Sequence, residues 1–115
     1  MQVLLNSDHN IRGDLRLTEI VEGEVERVLG RFDDHLTRVE VHCNDVNSAM
    51  KSGGNDKRCQ IEARVKGMDP ISVTHYAPSL MEAISGACEK LERALDHHFG
   101  RLEGRKNHQR RDEGV

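Results

Sequence analysis

Three runs between residues 38 and 74 place a hydrophobic residue at every second position, while the flanking segments repeat theirs every three or four. A period of two belongs to a strand with one face on a core, and a period near 3.6 belongs to an amphipathic helix. The change of period therefore dictates the order of elements. Val39, Val41 and Cys43 alternate with Arg38, Glu40 and His42; Cys59, Ile61, Ala63 and Val65 alternate with Gln60, Glu62, Arg64 and Lys66. Ile71 and Val73 alternate with Ser72 and Thr74. Gly67-Met68-Asp69-Pro70 reads as a tight turn joining the last two runs, and Asn44 to Asp56 as a longer hairpin loop. Gln2 to Asn6 supplies a short fourth strand.

The helical segments carry their own boundary signals. Leu17, Val21, Val25, Val28, Leu29 and Phe32 form one stripe, with Asp14 positioned to cap the first turn, so a helix is expected from about Leu15 to Phe32. Asp33-Asp34 sets negative charge at its C-terminal end, where the helix dipole disfavours it. Ser79 and Glu82 have capping-box spacing after Pro78, and Ile84, Cys88, Leu91, Leu95 and Leu102 continue the second stripe to about Leu102. The predicted architecture is α+β, in the order β-α-β-β-β-α. Two helices would pack on one face of a four-stranded sheet and leave the other face to solvent. One domain covers residues 1–103, and the polar stretch 104–115, without apolar period, is expected to be a disordered tail with a basic first half.

Charged residues make up 32% of the chain and hydrophobic residues 36%, which allows one economical core under a heavily charged surface. No apolar run approaches the roughly 20 residues needed to span a bilayer, so no membrane role and a cytoplasmic location are expected. Cys43, Cys59 and Cys88 are odd in number and widely spaced, suggesting neither a disulfide framework nor a zinc ribbon. His97 and His98 are adjacent, about 100° apart on a helix, and no HxxxH spacing occurs, so no metal is expected. P-loop, GxGxxG and GxSxG signatures are missing. Sequence gives no distance between Cys59 and the candidate bases His42 and His75, but Cys59 falls on the buried side of its strand and His42 on the wet side, so catalysis is not the expectation. A binding protein without cofactor or small-molecule substrate is the expectation. The net charge of −3 restricts any nucleic-acid contact to local basic patches on an acidic body.

In its element order the chain resembles the short ribosome hibernation-promoting factors, the sigma-54 modulation family, from Met1 to about Leu102. The resemblance rests on Met1-Gln2-Val3 opening the first strand, Arg31-Phe32-Asp33 at the first helix end, and Val39-Glu40-Val41. The Gly67 to Pro70 turn and Met81-Glu82-Ala83-Ile84 leading to Glu89-Lys90-Leu91 complete it. It implies a double-stranded-RNA-binding-like fold lodged in the small ribosomal subunit against 16S-type rRNA near the decoding region, holding idle ribosomes inactive under stress. Long-form members carry a C-terminal dimerisation domain, so a chain ending at residue 115 is expected in the short class.

The family's rRNA contacts are lysines and arginines on both helices and the sheet. On the second helix Lys90, Arg93, His97 and Arg101, spaced by three and four, share one stripe. With the histidine neutral they could meet roughly three phosphates, for a salt slope of about −3. The plainer reading is a solvated face on which Glu89 pairs with Arg93 at i,i+4. A second cluster is expected on the outward face of the third strand: Arg58, Arg64 and Lys66, flanked by Lys57, Arg38, His42, Gln60 and Thr74. Glu40 and Glu62 share that face and could pair across strands instead. Arg27 and Arg31 extend the footprint onto the first helix. Histidines beside phosphates would charge as pH falls towards 6, strengthening the contact. Glu22, Glu24 and Glu26 stand where the family tends to be basic, and Asp96 interrupts the second helix. The alternative is accordingly a divergent, non-ribosomal relative that binds a protein through the acidic first helix.

Overall fold

In the computed structural model, residues 1–7, 15–45 and 56–114 are described, with side chains through Phe99. The elements are β1 (Gln2–Ser7), α1 (Leu15–Leu29), β2 (Leu36–Asp45), β3 (Lys57–Val65), β4 (Ile71–Ala77) and α2 (Leu80–Gly114). They form a single sheet in the order β1-β2-β3-β4, with β1 parallel to β2 and the two later pairings antiparallel. A parallel pair needs a crossover, and α1 provides it between β1 and β2. The expected α+β order and the four strands match this architecture.

Leu17, Val21, Val25, Val28 and Leu29 are all buried, the stripe read from the sequence. The α-helix stops at Leu29, three residues before the expected end, and Phe32 lies instead in a 3-10 segment, Gly30–His35. Gly30 is a poor helix former, and carboxylates at positions 33 and 34 oppose the dipole, so the last turn tightens. The Leu36 N–H donates to the Asp33 carbonyl as the chain enters β2. Asp14, the expected cap, lies outside the described residues, as does the loop over 46–55.

α2 begins as its capping signal requires. Ser79 Oγ accepts the Glu82 N–H at 3.2 Å and meets the Glu82 carboxylate at 3.0 Å. The helix runs on past the end expected near Leu102, through a stretch rich in unbranched Arg, Lys, Glu and Gln. The side chains of 100–115, where the polar tail was expected, fall outside the described residues.

Both helices cover one face of the sheet and touch each other. Val39, Val41, Cys43, Cys59, Ile61, Ala63 and Val65 point up from β2 and β3 to meet Ile84, Leu91 and Leu95 of α2 and Val21, Val25 and Leu29 of α1. Each fully buried aliphatic side chain contributes about 1.5–3 kcal/mol relative to exposure. No polar or charged residue is buried among those described. Two glycines are structurally required. Gly67 sits at φ +72° in the β3–β4 turn. Gly86 on α2 lies against the His75 ring of β4, so closely that a methyl group there would overlap the imidazole.

Candidate nucleic-acid interface

Sheet register divides the open face into rows. Gln2, Arg38 and Arg64 form one row; Leu4, Glu40, Glu62 and Ser72 form the next. Asn6, His42, Gln60 and Thr74 follow, then Asn44, Arg58 and Tyr76. The first two rows set like charges directly opposite each other, Arg38 facing Arg64 and Glu40 facing Glu62. Such pairs are unfavourable alone. They are offset along the strands: Arg38 reaches Glu40 at 3.4 Å and Arg64 reaches Glu62 at 3.3 Å. The expected neutralisation therefore occurs within each strand and not across them. Arg64 is consequently spoken for.

Arg58 has a different environment. Its two terminal nitrogens donate to Asn44 Oδ1 at 3.2 Å and Gln60 Oε1 at 3.0 Å, both neutral acceptors. Its charge is held in place but not cancelled. Lys57, one residue earlier, is bound by Asp45 at 2.8 Å and Asp56 at 3.5 Å, and the Asp45 hydrogen bond raises its pKa. Lys66 does not lie on the outward face of β3 as expected. The strand ends at Val65, and Lys66 is an exposed turn residue whose N–H donates to the His35 carbonyl at 3.0 Å.

On α2, Lys90, Arg93 and His97 are all exposed. Lys90 Nζ donates to the Thr74 carbonyl at 2.9 Å, which fixes this stripe beside the free edge of β4. The Glu89–Arg93 pair of the plainer reading is not formed, and among the described residues Arg93 has no carboxylate within 4 Å. At the far end of the stripe His98 lies 2.9 Å from Met68 in the β3–β4 turn, so Lys66 shares that end of the molecule. The Arg101 side chain is outside the described residues.

Arg27 and Arg31 stand apart from this surface. Arg27 is bound by Glu24, which raises its pKa. Arg31 bridges from the 3-10 segment to α2, 3.7 Å from Glu92 and 3.4 Å from Asp96, with its guanidinium 4.3 Å from the Phe32 ring centroid. Phe32 stacks in turn on Phe99. Arg31 thus ties the 3-10 segment to α2 while Arg27 is held within α1, the helix that also carries the exposed acids Glu19, Glu22 and Glu26. Positive charge gathers on the β4 flank of α2, negative charge on α1.

The sulfur groups offer no reactive centre. Cys43 and Cys59 face each other across β2 and β3 with sulfurs 3.9 Å apart, and both are buried. The neighbouring Cys43 thiol and burial drive the Cys59 pKa far up, and burial pushes Cys88 up to about 12. His75 is the register partner of Cys59, but a thiol held neutral is a poor nucleophile and a poor metal ligand. Among the described residues no cluster of three His, Cys, Asp or Glu side chains could hold a metal ion, and no helix is long and apolar enough to cross a membrane.

One residue of this face was missed in the sequence. Tyr76 continues the outward series Ser72, Thr74 and is 46% exposed beside Arg58. The alternation of β4 alone could have found it.

Residues 6–103 match the family model described as sigma 54 modulation protein / S30EA ribosomal protein. No curated protein sequence matches. The crystal structure of the Thermus thermophilus Protein Y N-terminal domain superposes with a TM-score of 0.67 at 19% identity, over 85% of this chain and 99% of that one. A ribosomal subunit interface protein from Coxiella burnetii gives 0.69 at 13% identity, over 87% and 99%. At such identities the likeness is one of fold.

Proposed function

Because the chain belongs to the sigma 54 modulation protein / S30EA ribosomal protein family, we propose that it is a ribosome-bound regulator of translation acting by occupancy and not by catalysis. Its partner is the small ribosomal subunit, contacted through 16S-type rRNA near the decoding region, where the domain would hold idle ribosomes inactive. The name of the Coxiella burnetii relative, a ribosomal subunit interface protein, supports the ribosome as partner. The observation that carries the reading is the exposed row of Lys90, Arg93 and His97 beside the β4 edge, where neither cation is paired with an acid among the described residues. Unpaired cations can neutralise phosphates without first breaking an internal ion pair, so they supply most of the favourable electrostatics. Lys66 shares the far end of that row, Arg58 stands on the open sheet face, and Arg101 continues the spacing.

Arg27, Arg31 and Arg64 contribute less in this reading, because each already has a carboxylate partner. A second reading, docking to a protein through α1, is favoured by the exposed carboxylates Glu19, Glu22 and Glu26. Cosedimentation with purified small subunits at low and moderate salt separates the two. A salt-sensitive complex supports the ribosomal reading, and no complex even at low salt supports the other. Replacing Lys90→Glu together with Arg93→Glu should abolish the complex; retained binding would mean that this stripe is not the contact.

A further inference from the structure

We propose that the corner of the open sheet face formed by Asn44, Arg58 and Tyr76 binds one unpaired RNA nucleotide, the base stacking on the Tyr76 ring and a phosphate held by Arg58. This deepens the RNA-binding reading above and rests on it. The two halves of the face differ in available charge. At one end Arg38 and Arg64 are cancelled by Glu40 and Glu62. The rows Asn6–His42–Gln60–Thr74 and Asn44–Arg58–Tyr76 contain no carboxylate at all, yet they carry a guanidinium. An anion approaching the open face is therefore drawn to this end.

Arg58 is built as a receptor. Asn44 and Gln60 hold it through neutral oxygens, using two of the five N–H groups an arginine offers and leaving three without an acceptor among the described residues. A fork held in advance loses little freedom on gripping a phosphate. Tyr76 is its register partner on β4, which sets the two Cβ atoms about 4.5–5.5 Å apart. The ring is 46% exposed and makes no hydrogen bond or ring contact among the described residues, so it offers a free π-face on a polar surface. Stacking of this kind accepts any base, because every base has a π-face. Gln60 and Thr74 in the adjoining row offer amide and hydroxyl groups to the 2′-hydroxyl or the base edge. An acidic peptide would use the guanidinium and leave the ring idle.

The chain has one tyrosine and no tryptophan, so its intrinsic emission reports this ring alone. Titration with a short unstructured oligouridylate should quench that emission to saturation, and Arg58→Gln should weaken the binding. Tyr76→Leu should lower affinity for both the oligonucleotide and purified small subunits by about 5- to 150-fold, with Tyr76→Phe within about two-fold of wild type. Tyr76 is exposed, so the variants should melt with the wild type. Absence of quenching overturns the proposal, as does wild-type affinity in Tyr76→Leu. A chain that cosediments with subunits whatever stands at position 76 keeps the ribosomal reading and loses this site. A chain that quenches with oligouridylate yet never cosediments keeps the site and loses the ribosome.

Discussion

Whether a cation is already paired within the protein should decide how much it contributes to RNA binding, and two double substitutions put a number on that. Lys90→Gln with Arg93→Gln removes two charges that have no carboxylate partner among the described residues. Arg27→Gln with Arg31→Gln removes two charges held by Glu24, Glu92 and Asp96. The formal charge change is identical, so any difference reflects the pairing. Each phosphate neutralised contributes about −0.9 to the slope of log affinity against log salt. Loss of Lys90 and Arg93 should therefore flatten the slope by about 1.8, equivalent to removing an approximately twelve-fold loss of affinity between about 50 and 200 mM salt.

Arg27 and Arg31 would have to surrender their carboxylates to meet phosphates, so their loss should change the slope by less than about 0.9. The assay is cosedimentation with purified small subunits across that salt range, read as slopes because a slope is insensitive to small differences in active fraction. Lys90 also donates to the Thr74 carbonyl, and losing that exposed bond should cost no more than about 1 kcal/mol of stability, checked by thermal melts. Equal flattening by the two pairs would refute the reasoning. So would a larger effect from Arg27 and Arg31.

Three further outcomes follow from the packing. Gly86→Ala should destabilise the domain by about 1–3 kcal/mol in urea, because the new methyl displaces His75, and the double variant with His75→Ala should recover most of that loss. Leu91→Ala should cost about 2–5 kcal/mol by the same measurement, since Leu91 on the sheet-facing side of α2 is fully buried. Cys88 is held neutral up to about 12 by burial, from an ordinary thiol value of 9.0. Above pH 9 unfolding therefore releases its proton, so its contribution is complete at lower pH and falls as pH rises towards 12, by at most about 1.4 kcal/mol per unit. Cys88→Ala should show a shallower alkaline decline in urea stability than the wild type; identical slopes would refute this.

Much of the fold was legible because period is a property of the chain itself. The burial of Leu17, Val21, Val25 and Leu29, and the alternation along β2 and β3, depend only on which residues share a face. Boundaries were harder. The end of α1 depends on how Gly30 and the paired aspartates settle against β2, and the turn closed by the Met68 N–H on the Val65 carbonyl takes Lys66 out of the strand. Candidate contacts were legible as charges but not as free charges. Arg31, Arg58 and Arg93 look alike in sequence, yet they meet carboxylates from a distant helix, amide oxygens from a neighbouring strand and its own, and no acid among the described residues.

That difference also bears on how an acidic chain can bind a polyanion. A net charge of −3 describes the far field, and at physiological salt that field decays within about 8 Å. A phosphate closer than that to Lys90 and Arg93 responds to them and to their neighbour Glu89, and far less to the glutamates across the helix pair. The internal pairing of Arg27 with Glu24 and of Arg31 with Glu92 and Asp96 sharpens this division, because it silences positive charge on the α1 side and spends acid there too. The acidic helix then need not prevent binding. On the proposed reading it would orient it, favouring approach along the β4 flank and opposing approach through α1.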